Sequence, residues 1–349
     1  MKTAVILGAG FSKNSGMPLL SEITEFIVKY PDNNEFEYEI SMVIKRFLRD
    51  VFGYNGGETI PGIDDILVTI DLCSRTGHHL GIRYSPEYLA AIRRFLMYRI
   101  FMIFHENCSY SEEVLRLIGF LHEKHRDLSY IVLNWDCVLE KYLGQVKPNA
   151  GINYCNNGKY LEPVNKNKHE ENIKLLKVHG SVNWLYCDNC RVLVNDLYER
   201  VNAINKAGFR KSDFELFNEF QKAKGMNVII EPEECCVCKD KLSSHIASLS
   251  YRKSFRENSY PNIWSEAEDV LSSSDKWIFI GYSMPQSDYE FKHILKLSQM
   301  KFCHLKKRKL EIDVVIMKSD TTKKKYQGFF GENIKNIYNG GINEYLRNT

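Results

Sequence analysis

The sequence predicts an α/β protein: a doubly wound parallel sheet carrying a helical insertion and a small metal-binding module. Three observations predict it. Short apolar, β-branched runs at Lys2 to Leu7, Ser129 to Leu133, Ile173 to Val178, Lys276 to Ile280 and Leu310 to Met317 have the length and composition of buried strands. Two of these runs stop at glycine turns, Gly8-Ala9-Gly10 and Gly281-Tyr282-Ser283, where a strand gives way to a helix. Two Cys-x-x-Cys pairs, Cys187/Cys190 and Cys235/Cys238, are separated by 44 residues.

The totals set the frame. A chain of 349 residues can bury a large core as one domain, or as one domain with a sizeable insertion. With 44% hydrophobic and 26% charged residues it is globular, which excludes a disordered, fibrous or repeat protein. A net charge of +3 is too small for a phosphate-tracking surface, so no direct nucleic-acid binding is expected. The apolar run Ala4 to Leu7 ends at Gly8, far short of a secretory h-region. The most apolar segment, Phe95 to Phe104, is too short for a bilayer and carries Arg99, so it reads as a buried helix. The expectation is a cytoplasmic protein without membrane contact, whose ten cysteines are reduced or hold metal.

Taken in order, Lys2 to Leu7 is the first strand, and its glycine turn runs through Phe11 and Ser12 into Ser15-Gly16-Met17-Pro18. Such a turn lets backbone N–H groups approach a diphosphate at a helix N-terminus. It serves plain architecture as well, because Lys13 stands where G-x-G-x-x-G requires its third glycine. From residue 20 to 126 the apolar spacing is helical, in Ile23, Phe26 and Ile27, in Val43, Ile44, Phe47 and Leu48, and from Leu89 to Ile103. That is too long for one crossover, hence a helical insertion. The strand Ser129 to Leu133 delivers Asn134-Trp135-Asp136, residues that sit where open α/β sheets bind ligands and that equally supply helix caps. Asn149 to Glu171 is polar and reads as a loop. Ile173 to Val178 then delivers His179 to the same sheet edge; a strand-end histidine is either a hydrogen-bonded structural residue or a reactive imidazole.

Cys187, Cys190, Cys235 and Cys238 match a closed, tetrahedral, structural zinc site, with Cys236 a spare thiol able to replace Cys235. The module is expected at residues 185 to 245, with a helical excursion from Asp213 to Lys224 between the pairs. A helix at Asn262 to Ser273 precedes the strand Lys276 to Ile280, which runs into Gly281-Tyr282-Ser283-Met284-Pro285 and Asp288. A second strand-glycine junction is what a Rossmann-like sheet needs to hold both halves of a dinucleotide. Leu310 to Met317 is expected to close the sheet. The basic runs Lys306 to Lys309 and Lys323 to Lys325 read as solvated faces.

The ordered set resembles the sirtuin family. Gly8-Ala9-Gly10-x-Ser12-x-x-Ser15-Gly16-x-Pro18 looks like its opening motif, Asn134-x-Asp136 its strand-end pair and His179-Gly180 its catalytic motif. The cysteine pairs look like its zinc ribbon and Gly281-Tyr282-Ser283 its glycine-serine turn, so the likeness spans residues 2 to about 320 of a single catalytic domain covering 1 to 349. The resemblance implies NAD as substrate and structural Zn2+. It implies His179 as general base, Asn134 on the ribose or the attacking water, and Asp136 on the nicotinamide carboxamide. Gly8, Ala9, Gly10, Phe11 and Ser12 would take the diphosphate, and Gly281, Tyr282, Ser283 and Asp288 the adenosine half.

Two departures bear on activity. Leu19-Leu20-Ser21 stands where the family's protein deacylases carry Asp-Phe-Arg, and Ile246 to Tyr251 lacks the Phe-Gly-Glu segment that pairs with an acyl-lysine peptide. With the long helical insertion and Gly281-Tyr282-Ser283-Met284-Pro285-x-x-Asp288, the chain looks like the bacterial sirtuin-like branch that destroys NAD in anti-phage defence. The expectation is an NAD glycohydrolase; the alternative is an NAD-dependent deacylase or ADP-ribosyltransferase. Unregulated NAD loss would harm the cell, so gating of the hydrolase by an activating partner protein or a homo-oligomer is expected.

Overall fold

A computed structural model describes residues 1–160, 171–187, 189–196, 203–217, 220, 233–246 and 259–349. The chain opens with β1 (Lys2–Leu7), followed by helices α1 (Ala9–Lys13), α2 (Ile23–Lys29), α3 (Glu35–Phe52), α4 (Ile63–Thr76), α5 (Pro86–Glu106) and α6 (Glu112–Lys124). Next come β2 (Asp127–Val132), α7 (Val138–Val146), β3 (Ala150–Asn153), β4 (Lys159–Tyr160), β5 (Glu171–Lys177), β6 (Gly180–Cys187) and β7 (Leu193–Asn195). Then follow α8 (Ala203–Ala207), α9 (Lys211–Glu215), β8 (Leu242–Ile246), α10 (Ser259–Ser273), β9 (Lys276–Ile280) and α11 (Tyr289–Lys306). The chain ends in β10 (Glu311–Val315), α12 (Asp320–Phe330), β11 (Ile334–Tyr338) and α13 (Gly341–Asn348).

The main sheet has seven strands in the order β11-β10-β9-β1-β2-β5-β3, all parallel. Ala4, Val5, Ile6 and Leu7 of β1 are fully buried, as are most residues of β9. A central strand covered on both faces must be apolar on both, which explains runs without alternation. The chain winds outward from β1 through β2 to β5, then returns to β9 and winds the other way through β10 to β11. The winding therefore reverses between β1 and β9, the place where such sheets open a crevice at their carboxyl edge. Leu7 is level with Val132 and Ile280, and Val132 with Lys177, so the residues that follow these strands share one edge.

Residues 20–126 supply α2 to α6. Asn34 Oδ1 caps α3 by accepting from the Glu37 N–H (2.9 Å), and Gly53 ends it in the left-handed region at φ 69°. Helix α5 starts with Ser85 as cap and Pro86 in the first turn, and is buried on most of its circumference. Arg99 within it is fully buried, donates to Asp32 (2.5 Å), Ser41 Oγ (2.8 Å) and the Glu37 carbonyl (2.6 Å), and stacks 4.7 Å from the Tyr30 ring. No helix among the described residues is long and apolar enough to cross a membrane.

A second sheet, β4-β7-β6-β8, has four strands, with β6 antiparallel to both neighbours, β7 and β8. Two expectations are corrected. The polar stretch read as a loop holds β3, a short edge strand on β5, and β4 in the small sheet. The strand read as closing the main sheet, β10, is inside it; β11 forms the edge. Of the excursion expected at Asp213 to Lys224, the first residues belong to α9, and residues 218–219 and 221–224 lie outside the described residues. The segment from Ile246 to Tyr251 is described only to Ile246, the last residue of β8. Lys306 to Lys309 are exposed, as expected for a solvated face.

Candidate active site

The two glycine turns meet at the reversal point and touch through backbone alone. The Gly8 N–H donates to the Ile280 carbonyl (3.0 Å), the Gly10 N–H to the Gly281 carbonyl (2.9 Å), and the Phe11 N–H to the Gly8 carbonyl (3.0 Å). A Cβ on Gly8 would lie 2.6 Å from the Gly281 oxygen, and one on Gly281, at φ 65°, 2.2 Å from the Phe11 nitrogen. The glycines are thus demanded first by the junction itself, and several of their N–H groups are spent there. Gly8, Ala9 and Gly10 still line the cavity above it; Phe11 is packed into the core and Ser12 is buried behind.

Ser12 meets the turn after β2. Its Oγ donates to Asp136 Oδ1 (2.9 Å) and accepts from Asn134 Nδ2 (2.8 Å), which also donates to Asp136 Oδ2 (2.7 Å). Asp136 Oδ1 further accepts from the Val138 N–H at the start of α7 (3.0 Å). The same carboxylate thus ties the turn both to the first glycine turn, through Ser12, and to the start of α7. Its bonds hold Asp136 as a support, and the polar atom left over is Asn134 Oδ1, buried and without a hydrogen-bond partner among the described residues. A buried acceptor in this state awaits a donor.

His179 sits in the two-residue link between β5 and β6, where Gly180 at φ 85° lets the chain turn sharply from one sheet into the other. The imidazole is 2% exposed, lies edge-on to Trp264 at 6.1 Å, and has its Nε2 3.4 Å from Asp288 Oδ2. Asp288 also accepts from the Tyr282 hydroxyl (2.9 Å). Burial, then the Asp288 charge, push the Tyr282 phenol well above its ordinary pKa, so it stays a donor. Of the turn expected at the adenosine half, Gly281, Tyr282 and Ser283 border the cavity, as does Asp288, which also meets the imidazole.

Asn134, Asp136, His179, Asp288 and both glycine turns line one cavity of about 800 Å³. Sequence reasoning missed its other walls. One is Leu19, Leu20, Ser21, Ile60, Asp64 and Phe104 from the helical stretch; another is Ile316, Ser319 and Ile342 near the C-terminus. A larger groove, about 1090 Å³, lies at the amino edge of the sheet, away from the two glycine turns and His179, with Lys174 and Glu266 paired at 2.7 Å in its wall.

The four cysteines form a separate cluster. The sulfurs of Cys187, Cys190, Cys235 and Cys238 all lie within 4.8 Å of one another, with Cys187 to Cys238 at 3.4 Å and Cys190 to Cys235 at 3.5 Å. Four thiolates around one zinc at ~2.3 Å stand about 3.8 Å apart, so the set fits a tetrahedral ion. The two loops repeat one turn. The Arg191 N–H donates to the Cys187 carbonyl and the Lys239 N–H to the Cys235 carbonyl, and Arg191 and Lys239 are both left-handed, at φ 57° and 64°. Cys235 is buried in the cluster and Cys236 is exposed outside it.

No family model matches the chain, and no curated protein does. Among solved structures it is similar to a complex of Sir2 with p53 peptide and NAD+, at 16% identity and a TM-score of 0.45, covering 99% of this chain and 90% of that one. It is also similar to Sir2 bound to acetylated peptide, at 17% identity and a TM-score of 0.42, covering 99% and 91%. A third likeness is to Sir2Tm bound to a propionylated peptide, at 16% identity and a TM-score of 0.40, covering 99% and 90%.

Proposed function

We propose that this chain is an NAD glycohydrolase, cleaving NAD to ADP-ribose and nicotinamide, and that it acts in anti-phage defence by depleting NAD. The observation that carries the reading is the convergence of Asn134, His179 and Asp288 on one cavity at the point where the sheet reverses its winding. The sequence motifs around these residues resemble the sirtuins, whose substrate is NAD. The choice of water over an acyl-lysine rests on Leu19-Leu20-Ser21 and on the missing Phe-Gly-Glu segment.

The chemistry asks little of an acid. When the bond from C1′ of the ribose to the pyridinium nitrogen breaks, its electron pair stays on nitrogen and neutral nicotinamide leaves an oxocarbenium-like sugar. The site must orient the sugar, exclude bulk water and take a proton from the attacking water. Asp288 on Nε2 holds a proton there and leaves basicity at Nδ1 of His179, which accepts the proton as oxygen bonds to C1′. Asn134 Oδ1 accepts from a ribose hydroxyl or from that water, and Asp136 and Ser12 keep the amide in place. The glycine junction would face the diphosphate through the N–H groups it has not spent.

The test is to incubate the purified chain with NAD and quantify both products. Equal ADP-ribose and nicotinamide are expected without added peptide, with His179→Ala and Asn134→Ala each lowering turnover by about 10²- to 10⁴-fold. A strict requirement for an acyl-lysine peptide would make it a deacylase instead. Undiminished turnover in both variants would overturn the site assignment.

A further inference from the structure

One cation interrupts an otherwise apolar strand end, Leu175-Leu176-Lys177-Val178. Its side chain is fully buried and paired at 3.0 Å with Glu140, which is also fully buried. Taking both charges out of water is costly, and an apolar pair of the same size is often at least as stable. Stability alone therefore does not account for the pair, and its contacts point elsewhere.

Lys177 Nζ donates to the backbone carbonyl of Asp136 as well as to Glu140 Oε1. The preceding carbonyl, that of Trp135, accepts from the Val182 N–H (2.9 Å). Two successive carbonyls of the turn that carries Asn134 are thus pinned by residues on either side of His179 in the chain. Glu140 in turn accepts from the Tyr154 hydroxyl (3.2 Å), which accepts from Asn183 Nδ2 (3.1 Å), and Asn183 Oδ1 accepts from Ser181 (2.5 Å), closing a ring of bonds beneath the turn. Burial opposes the charge on Lys177, but its neighbours Cys137, Glu140 and Asp136 more than offset it and its pKa is raised. It is an ammonium throughout the working range.

We infer that Lys177, through its ammonium on the Asp136 carbonyl, is a positioning residue for NAD cleavage: it sets the Asn134 turn against the His179 link so that amide and imidazole bear on the same sugar carbon. The inference rests on the NAD-hydrolase reading. A displacement of about 1 Å at such a site costs on the order of 10²-fold in rate.

The test compares the full-length wild type, Lys177→Met, and the double variant Lys177→Met/Glu140→Leu, measuring melting temperature together with kcat and KM for NAD. Lys177→Met alone leaves a buried, unpaired carboxylate and is expected to melt early. The double variant removes both charges and is expected to recover the wild-type melting temperature with KM within about threefold, yet to keep kcat about 10²-fold down. Recovery of kcat along with stability would show the pair to be structural and overturn the inference alone. If the double variant does not fold, Glu140→Gln decides: it keeps the ammonium on the Asp136 carbonyl, so its kcat should stay within about tenfold, and a loss as large as that of Lys177→Met overturns the inference. A wild type that leaves NAD intact, with any activating partner present, overturns the proposed function, and this inference with it.

Discussion

The two sheets are held together by opposite means. The seven-stranded sheet is the centre of a continuous core running from Ala4 to Tyr345, whereas the apolar cluster of the four-stranded sheet's outer end is Leu185, Cys187, Val194, Cys235 and Leu242. A cluster that small does little to meet the entropy of ordering its strands, and a metal held by the four cysteines would make up the deficit. The large sheet, secured by burial, can leave a polar atom such as Asn134 Oδ1 unmatched at its edge. The contrast teaches where chemistry can be afforded: polar side chains are released for reaction only where apolar packing already carries the fold.

Removing the metal is the strongest way to break this contrast. Four-thiolate zinc contributes on the order of 10–16 kcal/mol to small modules that depend on it. Metal analysis should find about one zinc per chain. Chelation, or Cys238→Ser, should open residues 185–245 to protease while the parallel sheet keeps its circular dichroism. A metal-free chain with an intact, protease-resistant module would end the comparison.

A smaller effect is expected from Asp288→Asn, which keeps the shape but removes the charge beside His179. Turnover should fall by about 10²-fold, the lower end of what a well-placed base contributes, with zinc content unchanged. Full activity in this variant would remove Asp288 from the mechanism and restore it to the nucleotide's far end.

The smallest effect lies at the amino edge of the large sheet, where His125 Nδ1 meets Thr3 Oγ1 at 3.0 Å. Burial, with Lys276 and Lys124 nearby, pushes this imidazole from 6.5 down to about 4. The unfolded chain takes up the proton first, so stability that is whole above pH 6.5 is lost as pH falls towards 4. Urea midpoints of wild type and His125→Gln, compared across that window, should converge as pH drops. Parallel pH profiles would show that the large sheet has no such titrating weak point.

Much of the fold was legible because its cause is local. A parallel strand buried on both faces is an apolar run, so β1, β2, β5, β9 and β10 stand out from their neighbours. β3 and β4 did not, since an edge strand four residues long and one of two carry no such run. β11, Ile-Lys-Asn-Ile-Tyr, was hidden by its polar residues, although it is half-exposed and so free to carry them. The candidate site was legible as residue types at strand ends. Its wiring was not: His179 and Asp288 are 109 positions apart, and only the strand order brings them together. Lys177 carried a signal that went unused, a lone cation in a buried run.

The contact between Gly8, Gly10 and Gly281 has one more consequence. The floor of the cavity is main chain, which is common to every sequence, and side chains supply only the walls. Replacing Leu20, Ile60 or Phe104 can reshape what the cavity admits without disturbing the platform beneath, so new substrates are within reach of ordinary mutation. Any change at the three glycines runs into backbone instead. Variation in this molecule is thereby steered towards the walls of the cavity and away from the junction at its floor.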